Sequence, residues 1–237
     1  MTRLVSKRAS PTCAPKCGLY INPTPGCKDN PRAREELALQ ATRAARIINF
    51  HMGELRDAEP VKLIVGMLSA YPGAFADAES RLVQVLGEVD LKSDLFAHEF
   101  TEYYRGEMGH PLVRYFLSFA DLVSPDRLVT FKRLANRIER SIAASGEWPV
   151  VRPVNVDPGL IAPDKLVLAS TKDYGHRIYL GRGIYAEVTL QCRRRGPDKP
   201  EWAPLEWTYP DYRTSGYHEF FSRVRARLLE QRREARA

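Results

Sequence analysis

At 237 residues, with 44% hydrophobic and 27% charged residues, the chain can hold one large domain plus an appendage, and its balance is that of an ordinary soluble globular protein. No stretch approaches the roughly 18 apolar residues of a membrane span, and the basic N-terminus lacks the apolar run and cleavage pattern of a signal peptide, so no membrane partner and a cytoplasmic location are expected. The net charge of +7 divides as +4 over residues 1–59, −1 over 60–192 and +4 over 193–237; the central part therefore lacks the basic excess that marks a nucleic-acid groove.

In chain order, residues 1–31 are rich in Pro, Lys, Thr and Cys without apolar periodicity and are expected to be a disordered extension. Cys13, Cys17 and Cys27 supply three thiolates at C-x3-C-x9-C spacing, with Cys192 far away, which falls short of a zinc pattern. A helical extension is expected up to residue 59, since Arg32 to Leu55 places Leu37, Ala41, Ala44, Ile48 and Met52 on one stripe. The domain then begins at Pro60 and is expected to run to residue 231, with a basic tail at 232–237.

Val61–Leu68 reads as a central strand and Ala74–Leu86 as a helix ended by Gly87. The aromatic-rich runs Leu95–Tyr104 and Leu112–Phe119 read as strands. Ser124-Pro125-Asp126 starts a helix carrying Leu128, Phe131, Ala135, Ile138 and Ile142, and Val150–Val156 is the next strand, ended by a turn at Asp157-Pro158-Gly159. Pro163-Asp164 opens either a short helix through Ala169 or a strand at Leu166–Leu168. The fold class expected is α+β: a ferredoxin-like split βαβ core in the order β-α-β-β-α-β, extended by a C-terminal hairpin and a terminal helix at Tyr217–Arg232.

The hairpin joins Ile178–Leu180 to Ile184–Leu190 through Gly181-Arg182-Gly183. Symmetric closure sets Leu180 opposite Ile184, Ile178 opposite Ala186 and His176 opposite Val188 on an apolar face. Tyr179 then meets Tyr185, and Arg177 meets Glu187, on the other.

Several strings resemble an uncharacterised prokaryotic family, domain of unknown function 4416: KLIVGMLS at Lys62–Ser69, FTEYYRGEMG at Phe100–Gly109, RPVNVDPG at Arg152–Gly159, KLVLASTKDYGHRIYL at Lys165–Leu180, GIYAEVTL at Gly183–Leu190 and WTYPDY at Trp207–Tyr212. The resemblance covers roughly residues 60–231 and implies domain boundaries rather than a chemistry. Some relatives carry the label "GTP-binding protein", but this chain has no G-x-x-x-x-G-K-[ST] loop.

Charged residues interleaved with apolar runs are costly to bury unless paired or used, which points to Arg152–Leu190 as the functional stretch. The reading it supports is a small-molecule site, enzymatic or binding, for an anionic, phosphate-bearing ligand. Lys172, His176 and Arg177 would meet the anion, with His176, Asp173 and Lys172 as the catalytic candidates. Asn155, Asp157, Arg177, Tyr179, Tyr185 and Glu187 are the ligand-binding candidates, and Asp157 with Glu187 would hold Mg²⁺. Two other readings stand beside it: RNA or other nucleic acid stacking on Tyr103, Tyr104, Tyr179 and Tyr185, and a protein-interaction module using the tyrosines and the terminal helix. No G-x-S-x-G or H-E-x-x-H motif is present.

Overall fold

The apolar run Val61–Ser69 forms strand β1, all nine of its residues are buried, and the sheet is assembled on both of its edges. The structure, a computed structural model, describes residues 54–100, 104–194 and 200–237. The three N-terminal cysteines and all but the last two residues of the expected helix at Arg32–Leu55 lie outside the described residues; those last two, Glu54 and Leu55, are not helical.

After β1 come helix α1 (Pro72–Leu86), strands β2 (Val89–Lys92) and β3 (Phe96–Ala97), the one-turn helix α2 (Arg105–Met108) and strand β4 (Val113–Val123). A 3₁₀ turn at Pro125–Arg127 leads into helix α3 (Leu128–Ala144), followed by β5 (Asn155–Ile161), β6 (Lys165–Ser170), β7 (Ile178–Gly181), β8 (Ile184–Arg194) and β9 (Pro200–Pro204). A 3₁₀ turn at Asp211–Arg213 precedes the last helix, α4 (Ser215–Glu234). The fold is α+β: one antiparallel sheet of nine strands in the order β2-β4-β1-β5-β6-β8-β7, with β3 also beside β4 and β9 also beside β8.

Side chains alternate across the sheet with a period of two. Leu63, Val65 and Met67 of β1 face α1 and α3, where Ala78, Leu82, Phe131, Ala135 and Ile138 complete one core. Ile64 and Phe116 face the opposite way and pack under α4, against Tyr217, Phe220, Phe221 and Val224. Local signals set the helix ends. Pro72 occupies the first turn of α1, and Gly87 closes it at φ 91°, its N–H donating to the Val83 carbonyl. At α3 the expected cap residue Ser124 makes no side-chain cap bond, and Pro125 begins a 3₁₀ turn before the α-helix. Helix α4 continues past residue 231, so the expected basic tail is partly structural: Arg232 donates to the Pro60 carbonyl and pairs with Glu59.

Two strand expectations change and one open alternative is settled. Of Leu95–Tyr104, residues 101–103 lie outside the described residues and only the two residues of β3 are strand among the rest, while the more polar Val89–Lys92 takes the neighbouring place on β4. Of the two alternatives after Pro163-Asp164, the strand holds, running over Lys165–Ser170. The strand expected at Val150–Val156 lies later, at Asn155–Ile161, and runs through Asp157-Pro158-Gly159 instead of turning there.

That last difference creates the site. Strand β5 pairs with β1 along Asn155–Ile161, but with β6 only at Gly159↔Leu168, Leu160↔Val167 and Ile161↔Leu166. Gly159 allows the close approach, because a Cβ there would lie 2.6 Å from Leu168 Cδ2 and 3.0 Å from the Val167 carbonyl. The next residue back, Pro158, has no N–H to donate, and the β5–β6 ladder ends at Gly159. Beyond it β5 stays on β1 while Ala169 and Ser170 of β6 stay on β8, so the sheet splays open between them.

The hairpin register holds for Ile178↔Ala186 and Tyr179↔Tyr185. At the tip Gly181, not Leu180, meets Ile184, because Gly181, Arg182 and Gly183 all take positive φ and insert a bulge. The apolar face is only half buried. Ile184 and Ala186 are covered, whereas Ile178 and Leu180 on the edge strand β7 are exposed.

Candidate functional site

The splay between β5 and β6 opens into a cleft of about 700 Å³. Both layers beside the sheet contribute to it: Lys132, Glu139 and Arg140 project from α3, and Tyr209, Asp211 and Tyr212 come from the segment before α4. The lining holds six Lys or Arg side chains against four Asp or Glu, a positive balance in an otherwise near-neutral region.

Asp157 occupies the centre of one wall. Its Oδ1 accepts from Lys132 Nζ at 2.8 Å, its Oδ2 accepts from Asn155 Nδ2, and Arg114 Nη1 lies 3.9 Å from Oδ2. Lys132 also donates to the Val156 carbonyl at 3.1 Å. Behind them Glu139 accepts the Val156 N–H at 2.7 Å and Arg152 Nη2 at 3.2 Å, and Arg152 donates to Asn155 Oδ1 as well. Burial works to raise the Asp157 pKa, yet Lys132, Arg114 and the hydrogen bonds from Lys132 and Asn155 hold it below the ordinary 3.8. At Glu139 the balance reverses: burial dominates and raises its pKa above 4.5 despite Lys132 and Arg152.

The sign for Asp157 follows from linkage. Its folded value lies below its unfolded one, so its stabilising contribution is complete above about pH 3.8 and is lost as pH falls through the depressed folded value. Acid titrations of stability should therefore show the wild type losing ground on Asp157→Asn below pH 3.8. Parallel curves for the two proteins in that range would contradict the assignment.

The second wall is built on Glu187. Its Oε2 accepts Arg177 Nε at 2.7 Å and contacts His176 Nε2 at 3.1 Å, while Oε1 accepts Thr189 Oγ1 at 3.3 Å. Arg177 Nη1 donates to Ser170 Oγ (2.6 Å) and the Lys172 carbonyl (3.0 Å), and Nη2 donates to Tyr209 Oη (2.8 Å). The Tyr174 ring lies over its guanidinium at 4.6 Å. His176 stacks on Trp207, centroids 5.2 Å apart and nearly parallel, and Trp207 in turn donates to the Val188 carbonyl.

The third part of the cleft holds Arg114, 6% exposed, whose Nη2 donates to Asp211 Oδ2 at 3.1 Å. Its Nε and Nη1 meet no acceptor at hydrogen-bond geometry, although Nη1 is 3.9 Å from Asp157 Oδ2 and the buried Tyr217 hydroxyl lies within reach of this guanidinium. Arg114 belongs to the row of β4 that faces α4, so an apolar strand delivers a charged head into the opening beside Leu68 and Asn155.

Of the residues singled out by sequence, Asn155, Asp157, Lys172, Arg177 and Glu187 come together in the lining. His176 does not line the cleft; it backs Glu187, and it shares that carboxylate with Arg177 instead of facing Val188. Asp173 is exposed on the loop before the hairpin and lies outside the lining. Tyr179 and Tyr185 pair with each other at 5.1 Å on the hairpin, away from the lining. The expected Mg²⁺ pair does not fit. The Asp157 and Glu187 oxygens already accept from Lys132, Asn155, Arg177 and Thr189, and among the described residues no group of three or more His, Cys, Asp or Glu is placed to hold a metal ion.

One comparison bears on what kind of chain carries this cleft: a family model described as a domain of unknown function, DUF4416, matches residues 59–228. The chain belongs to that family. No curated protein and no solved structure matches it. The matched DUF4416 span includes every residue of the cleft, from Leu68 to Tyr212. Among the described residues, no helix of this DUF4416 chain is long and apolar enough to cross a membrane.

Sequence reasoning missed Arg114, Lys132, Glu139 and Asp211. Two signals were available. Arg114 sits at an inward position of a mainly apolar strand, two residues from Phe116. Lys132, Asn136 and Glu139 recur at helical spacing along the border of the α3 apolar stripe.

Proposed function

We propose that the cleft between β5 and β6 binds a small anionic ligand carrying a phosphate or similar oxyanion, with Arg114 as its buried anchor. The observation that carries this reading is the pair of Arg114 nitrogens, Nε and Nη1, that meet no acceptor at hydrogen-bond geometry, on a residue that is 94% buried and lines the cavity. Buried polar groups are nearly always hydrogen-bonded, so two guanidinium nitrogens without a protein acceptor at hydrogen-bond geometry favour an acceptor supplied from the cleft. Arg offers its donors in a fork that matches oxyanion geometry. The positive balance of the lining supports the same sign of ligand.

Arg177 takes a different part from the one its charge suggests. Each of its nitrogens already has a protein acceptor, so it braces Ser170, Lys172, Tyr209 and Glu187 into a fixed wall. Asn155 is likewise committed to Asp157 and Arg152. We read the part of the sheet ordered β5-β1-β4-β2, with α1 and α3 on one face, as a ferredoxin-like split βαβ core to which β6–β9 and α4 add the second lip of the cleft.

A thermal-shift screen of phosphate, sulfate, sugar phosphates, nucleotides and carboxylates tests this reading. A bound anion at 100 times its dissociation constant adds about 2.7 kcal/mol of stability. Arg114→Lys keeps the charge beside Asp211 and Asp157 but removes the fork, and should weaken binding roughly tenfold or more. Silence across the series, or equal shifts in wild type and Arg114→Lys, would refute the assignment.

A further inference from the structure

We propose that His98 is the second contact of the anion held by Arg114, and that His98 takes up a proton when the anion binds. The proposal rests on the reading of Arg114 as anchor and adds the chemistry of its neighbour.

His98 follows β3, where its backbone N–H donates to the Leu112 carbonyl at 2.9 Å. The side chain is 6% exposed and lines the same cleft, with its ring edge-on to Phe100 at 5.6 Å. Neither Nδ1 nor Nε2 has a hydrogen-bond partner. Nδ1 is 3.6 Å from Asp211 Oδ2, the oxygen that takes Arg114 Nη2. His98 and Arg114 therefore flank one carboxylate and carry four of the nine buried, unpartnered side-chain atoms among the described residues. The other five belong to Asp90, Ser118, Trp148, Tyr217 and Gln231, none of which lines the cleft, although the Tyr217 hydroxyl interacts with Arg114 from the core side. Such a concentration in one wall marks a shared missing partner.

The nature of that partner follows from donor counting. A neutral imidazole has one donor and one acceptor nitrogen, and an imidazolium has two donors. An oxyanion presents only acceptors, so it is matched by Arg114 and a protonated His98. The charged groups facing His98 are Arg114 from β4 and Asp211 from the 3₁₀ turn before α4, with Asp157 of β5 on the far side of Arg114. In the protein without ligand, burial first and Arg114 second hold the imidazole below its ordinary pKa of 6.5, against the pull of Asp211. An anion beside Arg114 offsets the Arg114 field and attracts the imidazolium, so the proton comes from solvent as the anion arrives. No bond in the ligand is made or broken.

Sulfate is the probe, because its charge is constant across the relevant pH range and any proton taken up belongs to the protein. Isothermal titration of the whole chain between about pH 6 and 8, in buffers of different ionisation enthalpy, should show uptake approaching one proton and an affinity falling toward tenfold per pH unit. His98→Asn should still bind sulfate, through Arg114, but without the proton uptake and with a flattened pH profile. In the wild type, the His98 imidazole proton resonances should titrate at higher pH with sulfate than without it, which tests the claim without any substitution. Sulfate binding with no proton uptake, or a pH profile unchanged in His98→Asn, overturns the role of His98 while leaving the anion site in place. No sulfate binding at any pH overturns the anion site and this inference together.

Discussion

Glu187→Ala is expected to lower unfolding stability by about 3–5 kcal/mol, because it strands a buried arginine. The Glu187 and Arg177 side chains are each 2% exposed, and their 2.7 Å contact joins the loop before β7 to the middle of β8. Removing the carboxylate leaves Arg177 with only the neutral acceptors Ser170, the Lys172 carbonyl and Tyr209, and leaves Thr189 Oγ1 and His176 without a shared partner. The loss comes from an uncompensated buried charge rather than from the net worth of the pair. Replacing both members by apolar residues, Arg177→Met with Glu187→Leu, should accordingly recover much of it. Denaturant midpoints of the two proteins separate the cases. A single-variant loss below about 1 kcal/mol would mean that water screens the pair as at a surface.

The second large effect lies in the core under α4. Phe116→Ala should cost about 3–5 kcal/mol. Phe116 is fully buried and meets Phe96, Tyr212, Tyr217, Phe220 and Phe221 with ring centroids 4.8–6.5 Å apart. It fills its place because Gly66 on β1 has no side chain; a Cβ there would come within 2.9 Å of the Phe116 ring. Tyr212 belongs to the turn that carries Asp211, so the cavity left by Phe116→Ala loosens the support of Arg114 as well as the core. Anion affinity should fall together with stability. Leu82→Ala in α1, on the opposite face of the sheet, should destabilise by about 2–5 kcal/mol yet leave affinity unchanged in the folded protein. Equal affinity in Phe116→Ala and wild type would disconnect that core from the cleft.

Local pattern made part of this architecture legible in sequence. The central strand β1, the stripe of α3 and the pairing of Tyr179 with Tyr185 all follow from spacing over a few residues. So does the contact of Arg177 with Glu187. What failed was reading Asp157-Pro158-Gly159 by its dipeptide. Pro-Gly is a strong turn signal, but here the proline ends a ladder within a strand and the glycine lets that strand approach Leu168. The cleft itself was half visible. Asn155, Asp157, Lys172, Arg177 and Glu187 lie within one stretch of chain, whereas Arg114, Lys132 and Asp211 are brought to it by strand order and helix packing. Charge clustering along the chain found the residues that brace the walls and passed over the buried arginine with donors to spare.

Crystals grown with selenate test the anion site most directly, since selenium marks its own position by anomalous scattering. The predicted result is a peak in the opening between β5 and β6, with selenate oxygens within hydrogen-bond distance of Arg114 Nε and Nη1. Selenate bound only elsewhere on the surface, with those two donors still facing no anion, would contradict it.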